Sequence, residues 1–346
     1  MVYMKSPLGY HCPSSKVCLL RKAFYGLKQA PRELFDKFST TICNLGFTYS
    51  PHENALFIRK SERGVVLLLL YVDDMIITRD DVDGISDLKA SLHRIFEMKD
   101  LGSLNYFLGL EVISTDDGIY LSQAKYASGL FYRAGITDSR TESTPLESNL
   151  VGGLVYLTVT RPDIAYPVHV LIQFLSVRRT THYAAVLCVL RYIKGILFHG
   201  LYFSAHSSLS FQAYSDADWA GDPTDRRSTT GYCLFLSDSL IFWRVKKQTF
   251  TARSSSKAEY RAVADTTAEI VSIRWLLEDL GAPQSSPTDV FCDNRSAIQI
   301  AHNNVFHEHT KRIEIDYYFV RQRIFINVIR LIVVEHTKRI YIFNTL

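Results

Sequence analysis

Apolar and polar positions along this chain switch between helical and strand periods often enough to predict most of its elements. Residues 1–30 hold no sustained period and carry scattered cations, Lys16, Arg21, Lys22 and Lys28, so they read as loop and turn. Pro31 suits a first helical position, and Leu34, Phe35, Phe38 and Ile42 follow at helical spacing, with Gly46 as the stop. Ala55–Arg59 and Gly64–Tyr71 read as strands, and Met75–Thr78 as a return strand after a Val72-Asp73-Asp74 turn. Ser86 can cap a helix that keeps Leu88, Leu92, Ile95 and Phe96 on one face. Tyr106–Ser114 and Gly118–Leu121 predict a second hairpin, and Ala124–Ala134 a helix ended by Gly135.

Thr137–Asn149 is rich in Ser, Thr and Glu and reads as a linker. Residues 151–203 hold two apolar helical patterns, the clearer one from Tyr183 to Lys194. The pattern changes at Leu209. Leu209–Tyr214, Thr230–Leu236 and Leu240–Trp243 predict three successive strands, and Ser256–Leu280 a long helix ended by Gly281. Val290–Cys292 comes next as a short buried strand, then Ser296–His302 and Glu314–Phe325 as helices. Strands that precede and follow a helix in one sheet are joined by a right-handed crossover. If the long helix crosses over to bring the strand before Asp216 and the strand before Asp293 together as parallel neighbours, both acids fall at carboxyl ends, where sites in such sheets sit.

Composition narrows the class. In 346 residues, 47% are hydrophobic and 12% aromatic, which suits packed cores and excludes a disordered chain. The length predicts two to three domains. A net charge of +4 points only weakly to a polyanionic partner. Six cysteines are scattered without a CxxC pair, which favours buried reduced thiols over a zinc site. No signal peptide is visible, and the apolar run Val65–Ile77 is broken by Asp73 and Asp74 and falls short of the ~20 residues that cross a bilayer. The expectation is an intracellular protein of cytoplasm or nucleus, neither secreted nor membrane-spanning.

Two groups of acids carry candidate chemistry. Asp73 and Asp74 stand side by side in an apolar hairpin, where like charges need water or a cation. Hard oxygen ligands on stiff strands suit magnesium, although a solvated Asp turn uses the same residues. Asp216, Glu259 and Asp293, with Glu314 as a fourth acid and Asp316 as its substitute, form the second group. Converging carboxylates hold two divalent ions in phosphodiester hydrolysis. Each acid also has a plainer use. Ser256-Lys257-Ala258-Glu259 is a capping box, Asp293 or Asn294 can cap the short helix, and Asp216, Asp218, Asp222 and Asp225 can make an acidic loop. Lys246, Lys247, Arg226 and Arg227 suit either phosphate contacts or solvated surface. Trp219 and Trp243 are expected in the core.

The motifs resemble those of copia-type retrotransposon Pol polyproteins over roughly residues 1–325. Leu20-Arg21-Lys22-Ala23-Phe24-Tyr25-Gly26-Leu27-Lys28-Gln29-Ala30-Pro31-Arg32, Tyr71-Val72-Asp73-Asp74 and Tyr106-Phe107-Leu108-Gly109-Leu110-Glu111 resemble, in order, reverse-transcriptase segments. Tyr214-Ser215-Asp216-Ala217-Asp218-Trp219-Ala220-Gly221-Asp222, Ala252-Arg253-Ser254-Ser255-Ser256-Lys257-Ala258-Glu259-Tyr260 and Cys292-Asp293-Asn294-Arg295-Ser296-Ala297 are similar to that family's ribonuclease H. Phe306-His307-Glu308-His309-Thr310-Lys311-Arg312-Ile313-Glu314-Ile315-Asp316 matches near the end, with Arg312 where the family usually has histidine. His307 could aid product release.

The resemblance implies a multidomain α+β and α/β chain. A partial reverse-transcriptase palm takes 1–136 and a linker and connection 137–204. A ribonuclease H-like mixed sheet flanked by helices takes 205–325, and a divergent tail 326–346. It implies that Asp73 and Asp74 bind metal, that Tyr71 lies near the primer end, and that Lys28, Gln29, Arg32 and Gly26 lie near nucleotide and template. It implies Asp216, Glu259, Asp293 and Glu314 as metal-binding catalytic acids, with two magnesium or manganese ions per site. Implied partners are an RNA–DNA hybrid and a template–primer, in the service of transposition and DNA integration. The family's first polymerase aspartate precedes the stretch that matches Val2–Tyr10, so the endonuclease is the activity expected here and polymerisation is expected to be incomplete. An inactive remnant or a host-adopted binding module is the alternative. The identical hexapeptides Glu308–Ile313 and Glu335–Ile340 have no physical account.

Overall fold

A computed structural model describes residues 2–5, 13, 16–20, 27–62, 64–72, 74–79, 82–96, 98–136, 148–175, 179–303 and 314–334. Gly26, Asp73, His307, Arg312 and both hexapeptides lie outside the described residues. The chain forms two compact units, residues 1–101 with 279–281, and residues 102–278 with 282–346.

In the first unit β1 (Val2–Met4) pairs antiparallel with β2 (Cys18–Leu20). Helix α1 (Ala30–Asn44) has Pro31 in its first turn, where a missing N–H costs nothing. It buries Phe38 and Ile42 but leaves Leu34 48% exposed, so the apolar stripe is narrower than its spacing predicts. Strands β3 (Thr48–Tyr49), β4 (Leu56–Ser61), β5 (Gly64–Tyr71) and β6 (Asp74–Arg79) make an antiparallel sheet in that order. In β5, Val66 and Leu68 point into the core while Leu69 and Tyr71 face out, as a period of two requires. Helix α2 (Val82–Ile95) starts before the expected Ser86 and closes the core with Ile85, Leu88 and Leu92.

Tyr71 pairs with Asp74, so the β5–β6 turn is two residues long and Asp74 already belongs to the strand. Val72 holds φ +50° there. Two-residue hairpins want positive φ because that twist matches the strands, but a β-branched side chain resists it. Val72 is 71% exposed, so its side chain contributes little packing. Val72→Asn is expected to stabilise the hairpin by about 0.5–1 kcal/mol. Hydrogen exchange of the β5 and β6 amides in the full chain checks this: faster exchange in the variant would overturn it.

The second unit starts with β7 (Tyr106–Phe107), β8 (Leu110–Thr115) and β9 (Gly118–Ser122). The expected single strand 106–114 is broken because Leu108 and Gly109 adopt φ +48° and +78°. Helices α3 (Ala124–Arg133), α4 (Ser148–Leu157), α5 (Ala165–Gln173) and α6 (Thr180–Gly195) come next, then β10 (Leu201–Ser204). Leu130 and Phe131 of α3 share one core with Leu154, Val168 and Leu190 of the later helices. β10 pairs with β9, and Gly118 allows it: a Cβ there would collide with the Phe203 carbonyl. This pairing and the shared helical core join residues 106–136 to residues 148–204, across the boundary expected at 136.

The rest of the unit is β11 (Phe211–Ala217), β12 (Thr229–Leu236), β13 (Ser239–Lys247), α7 (Ser255–Asp279), β14 (Thr288–Cys292), α8 (Arg295–His302), α9 (Glu314–Phe325) and β15 (Ile329–Val333). Sheet order is β13-β12-β11-β14-β15. β11, β12 and β13 run antiparallel, whereas β14 is parallel to both β11 and β15. β15 extends this sheet past residue 325, where the ribonuclease H-like region was expected to end. Its one charge in the middle, Arg330, pairs across the strands with Asp289 at 2.7 Å. Tyr260, Val263 and Ile270 of α7 pack on Ala213, Leu234 and Val290 of the sheet.

Candidate active site

Strand pairing delivers the acids. Tyr214 of β11 is in parallel register with Phe291 of β14, so Asp216 and Asp293 stand at neighbouring carboxyl ends. Glu259 is in the first turns of α7, the crossover after β13, and its Oε2 accepts from the Ala217 backbone N–H at 3.2 Å. Its carboxylate therefore points at the sheet and not back along its own helix, which removes the capping-box reading. Asn294, not Asp293, caps α8: its side chain accepts from Ala297 N at 3.0 Å, and its amide donates to Ser255 Oγ at 3.3 Å. Asp293 is half-buried and lies with Glu259 and Cys292.

Asp216 and Glu259 are each 4% exposed. Their carboxyl groups interact directly. Burial, then the negative charges of Asp216 and Asp293, push the Glu259 carboxyl well above the usual carboxylate range. Without a cation Glu259 therefore holds its proton more tightly than an exposed carboxyl does. The ligand atoms of Glu259, Cys292 and Asp293 all lie within 4.8 Å of one another. Cys292 was missed by the sequence reading, which treated each cysteine as a core filler. The sign was there in its position, beside Asp293 at the end of a buried strand. Burial, then the charges of Glu259 and Asp293, raises its thiol to about 12.

Glu314 opens α9, and the hydroxyl of Tyr260 donates to the Tyr317 carbonyl at 3.5 Å, which sets the first turn of α9 beside the first turns of α7. Asp316, the alternative fourth acid, is half-buried in α9. Burial raises its carboxyl, and its charged neighbours are Arg261 and Asp265. Asp218 is a loop staple: Thr229 N donates to it, and a Cβ at Gly221 would collide with its carboxylate. Lys247 is bound to Asp222 and, at 2.9 Å, to Asp225, holding Asp222 at about 2. It is therefore not available for phosphate. Arg227 lies 3.6 Å from Asp225, and Lys246 and Arg226 are exposed. Trp219 is 56% exposed with its indole N–H on the Ala252 carbonyl at 3.1 Å, contrary to the expected core position. Trp243 is half-buried.

In the first unit Tyr71 is 54% exposed and Asp74 is exposed, both at the hairpin tip. Lys28 and Gln29 precede α1, and Arg32 lies in its first turn. No metal-type cluster involves these residues among those described.

The sheet with parallel β11, β14 and β15, antiparallel β12 and β13, and acids at the carboxyl ends is the ribonuclease H-like fold, preceded in the chain by a unit with a reverse-transcriptase-type hairpin. Residues 1–148 match the family model described as reverse transcriptase (RNA-dependent DNA polymerase). The Retrovirus-related Pol polyprotein from transposon RE2 of Arabidopsis thaliana is 37% identical over 352 residues, covering 96% of this chain and 24% of that protein. That from transposon TNT 1-94 of Nicotiana tabacum is 34% identical, covering 93% of this chain and 26% of that protein. The solved foamy viral protease-reverse transcriptase in complex with dsDNA covers 90% of this chain and 60% of that chain at 12% identity and a TM-score of 0.43. The chain belongs to the copia-type retrotransposon Pol family, as a reverse transcriptase and ribonuclease H segment of it. It spans about a quarter of the length of the curated Pol polyproteins it matches.

Proposed function

We propose that the second unit hydrolyses the RNA strand of an RNA–DNA hybrid, leaving a 3′-hydroxyl and a 5′-phosphate. The observation that carries this is the convergence of Asp216, Glu259 and Asp293 at the carboxyl ends of parallel β11 and β14. Three buried or half-buried carboxyls that repel one another, and that hold a proton when no cation is near, are a hard-oxygen donor set suited to magnesium or manganese. Asp216, Glu259 and Asp293 would hold the ions, with Glu314 as the fourth acid. Bound there, divalent ions would activate water and stabilise the charge on the departing oxygen.

The chain's own residues do the rest. The hydrogen bond from Ala217 N fixes the Glu259 carboxylate toward the sheet. Half-buried Asp293 forms the solvent side of the cluster, where a phosphodiester can approach. Exposed Lys246 and Arg226 are the candidates for backbone phosphates. Tyr71 and Asp74 at the β5–β6 tip, with Lys28, Gln29 and Arg32, would meet a template–primer. No helix of the described residues is long and apolar enough to cross a membrane. Unpaired core thiols at Cys233 and Cys292 suit the reducing cytoplasm or nucleus.

The test is cleavage of a labelled RNA–DNA hybrid by the full chain with magnesium or manganese, and again after chelation. Metal-dependent release of 5′-phosphorylated RNA fragments is expected. A folded chain that binds the hybrid without cutting it would overturn the reading in favour of a binding module.

A further inference from the structure

We propose that Cys292 turns this centre into a mixed sulfur and oxygen site that captures a thiophilic divalent cation of the zinc or cadmium class, and that this capture blocks the nuclease. The inference rests on the reading of Asp216, Glu259 and Asp293 as the nuclease metal centre. Its own ground is the position of one atom. Cys292 Sγ shares a sphere with a Glu259 oxygen and an Asp293 oxygen, all within 4.8 Å of one another. Ligands around one zinc ion at about 2.0–2.3 Å stand roughly 3.5 Å apart when tetrahedral, so modest side-chain rotation closes the set. A site made only of carboxylates favours hard magnesium or manganese, whereas a thiolate selects zinc and its congeners. Half-buried Asp293 gives the ion its way in, while Cys292 itself is 1% exposed. On capture the metal–sulfur bond forms as the S–H bond breaks and the proton passes to solvent, with no change of oxidation state. The captured ion occupies Glu259 and Asp293, which the hydrolytic ions need.

Cadmium titration of the magnesium-free full chain tests this through the ultraviolet thiolate-to-cadmium charge-transfer band. The background is a Cys188→Ala chain, which removes an exposed thiol. One equivalent of band is expected, lost in Cys292→Ser and weakened at least tenfold in affinity in Asp293→Asn. In parallel, the zinc concentration that halves magnesium-dependent cleavage is expected to rise at least tenfold in Cys292→Ser, relative to that variant's own zinc-free rate. A band that persists in Cys292→Ser, or no band in the parent, overturns the proposal. If Cys292→Ser does not fold, the Asp293→Asn titration decides, because a band there of unchanged affinity overturns it as well. A band without hybrid cleavage would keep the metal capture and defeat both the nuclease reading and the blocking role, and cleavage without a band would keep the nuclease reading and defeat the capture.

Discussion

Asp216→Asn is expected to lower metal-dependent cleavage of an RNA–DNA hybrid by about a thousandfold or more, equivalent to roughly 4 kcal/mol of lost transition-state stabilisation. The substitution keeps size and polarity at the end of β11 but removes one of three charges that converge there. The fold should survive it. Asp216 is 4% exposed and its charge raises the Glu259 carboxyl, so a neutral amide relieves repulsion in the metal-free chain. Single-turnover cleavage beside an unfolding curve makes the check. Cleavage within tenfold of the parent would place the chemistry elsewhere, and lost cleavage with a lowered midpoint would show only misfolding.

The second large effect concerns stability against pH. Glu259 has its carboxyl raised in the folded state, first by burial and then by Asp216 and Asp293. The folded chain thus binds this proton more tightly than the unfolded chain does. The stability this contributes is full below the unfolded carboxylate pKa of about 4.3 and is lost as pH rises toward the folded value, by up to about 1.4 kcal/mol per unit. The metal-free chain is therefore expected to weaken steadily from about pH 5 through neutrality. Glu259→Gln removes that titration and should raise the metal-free midpoint at pH 8 by about 2–4 °C for each kcal/mol relieved. The same variant should not cleave. Trp219, Trp243 and Trp275 all lie in the second unit, so tryptophan fluorescence tracks its unfolding. Parallel pH profiles for parent and variant would show that the cluster carries no such strain. Magnesium should restore the parent above pH 7 and leave the variant less changed.

Much of the fold was legible in the chain because its strong periods are local. The helix Glu314–Phe325 and the strand Gly64–Tyr71 have the bounds that their patterns predict. The acids Asp216, Glu259 and Asp293 could be placed together on the condition that the long helix crosses over between parallel strands, and by their likeness to the family's motifs. The features that stayed hidden depend on partners far along the sequence. β10 is four residues long and finds its place only through β9. Arg330 makes Ile329–Val333 look like a broken apolar run, and only Asp289 on the neighbouring strand explains it. Leu108 in a left-handed conformation cuts a strand that its side chains alone would continue. Cys292 looks inert because a thiol's use depends on its surroundings, and Glu259 arrives from a distant part of the sequence.

The parallel pairing of β15 with β14 bears on where the second unit can be cut from the rest of the chain. Cys292 and Val333 are register partners, and Val334 N donates to the Cys292 carbonyl at 3.1 Å. A fragment ended after Phe325 would strip the strand that covers Thr288–Cys292, turning the carrier of Asp293 into an open edge with unpaired amides. Such an edge recruits other chains. The shortest fragment with a closed sheet on that side must run at least to Val334, and a protease site placed before Ile329 would yield a sticky, misassembling product.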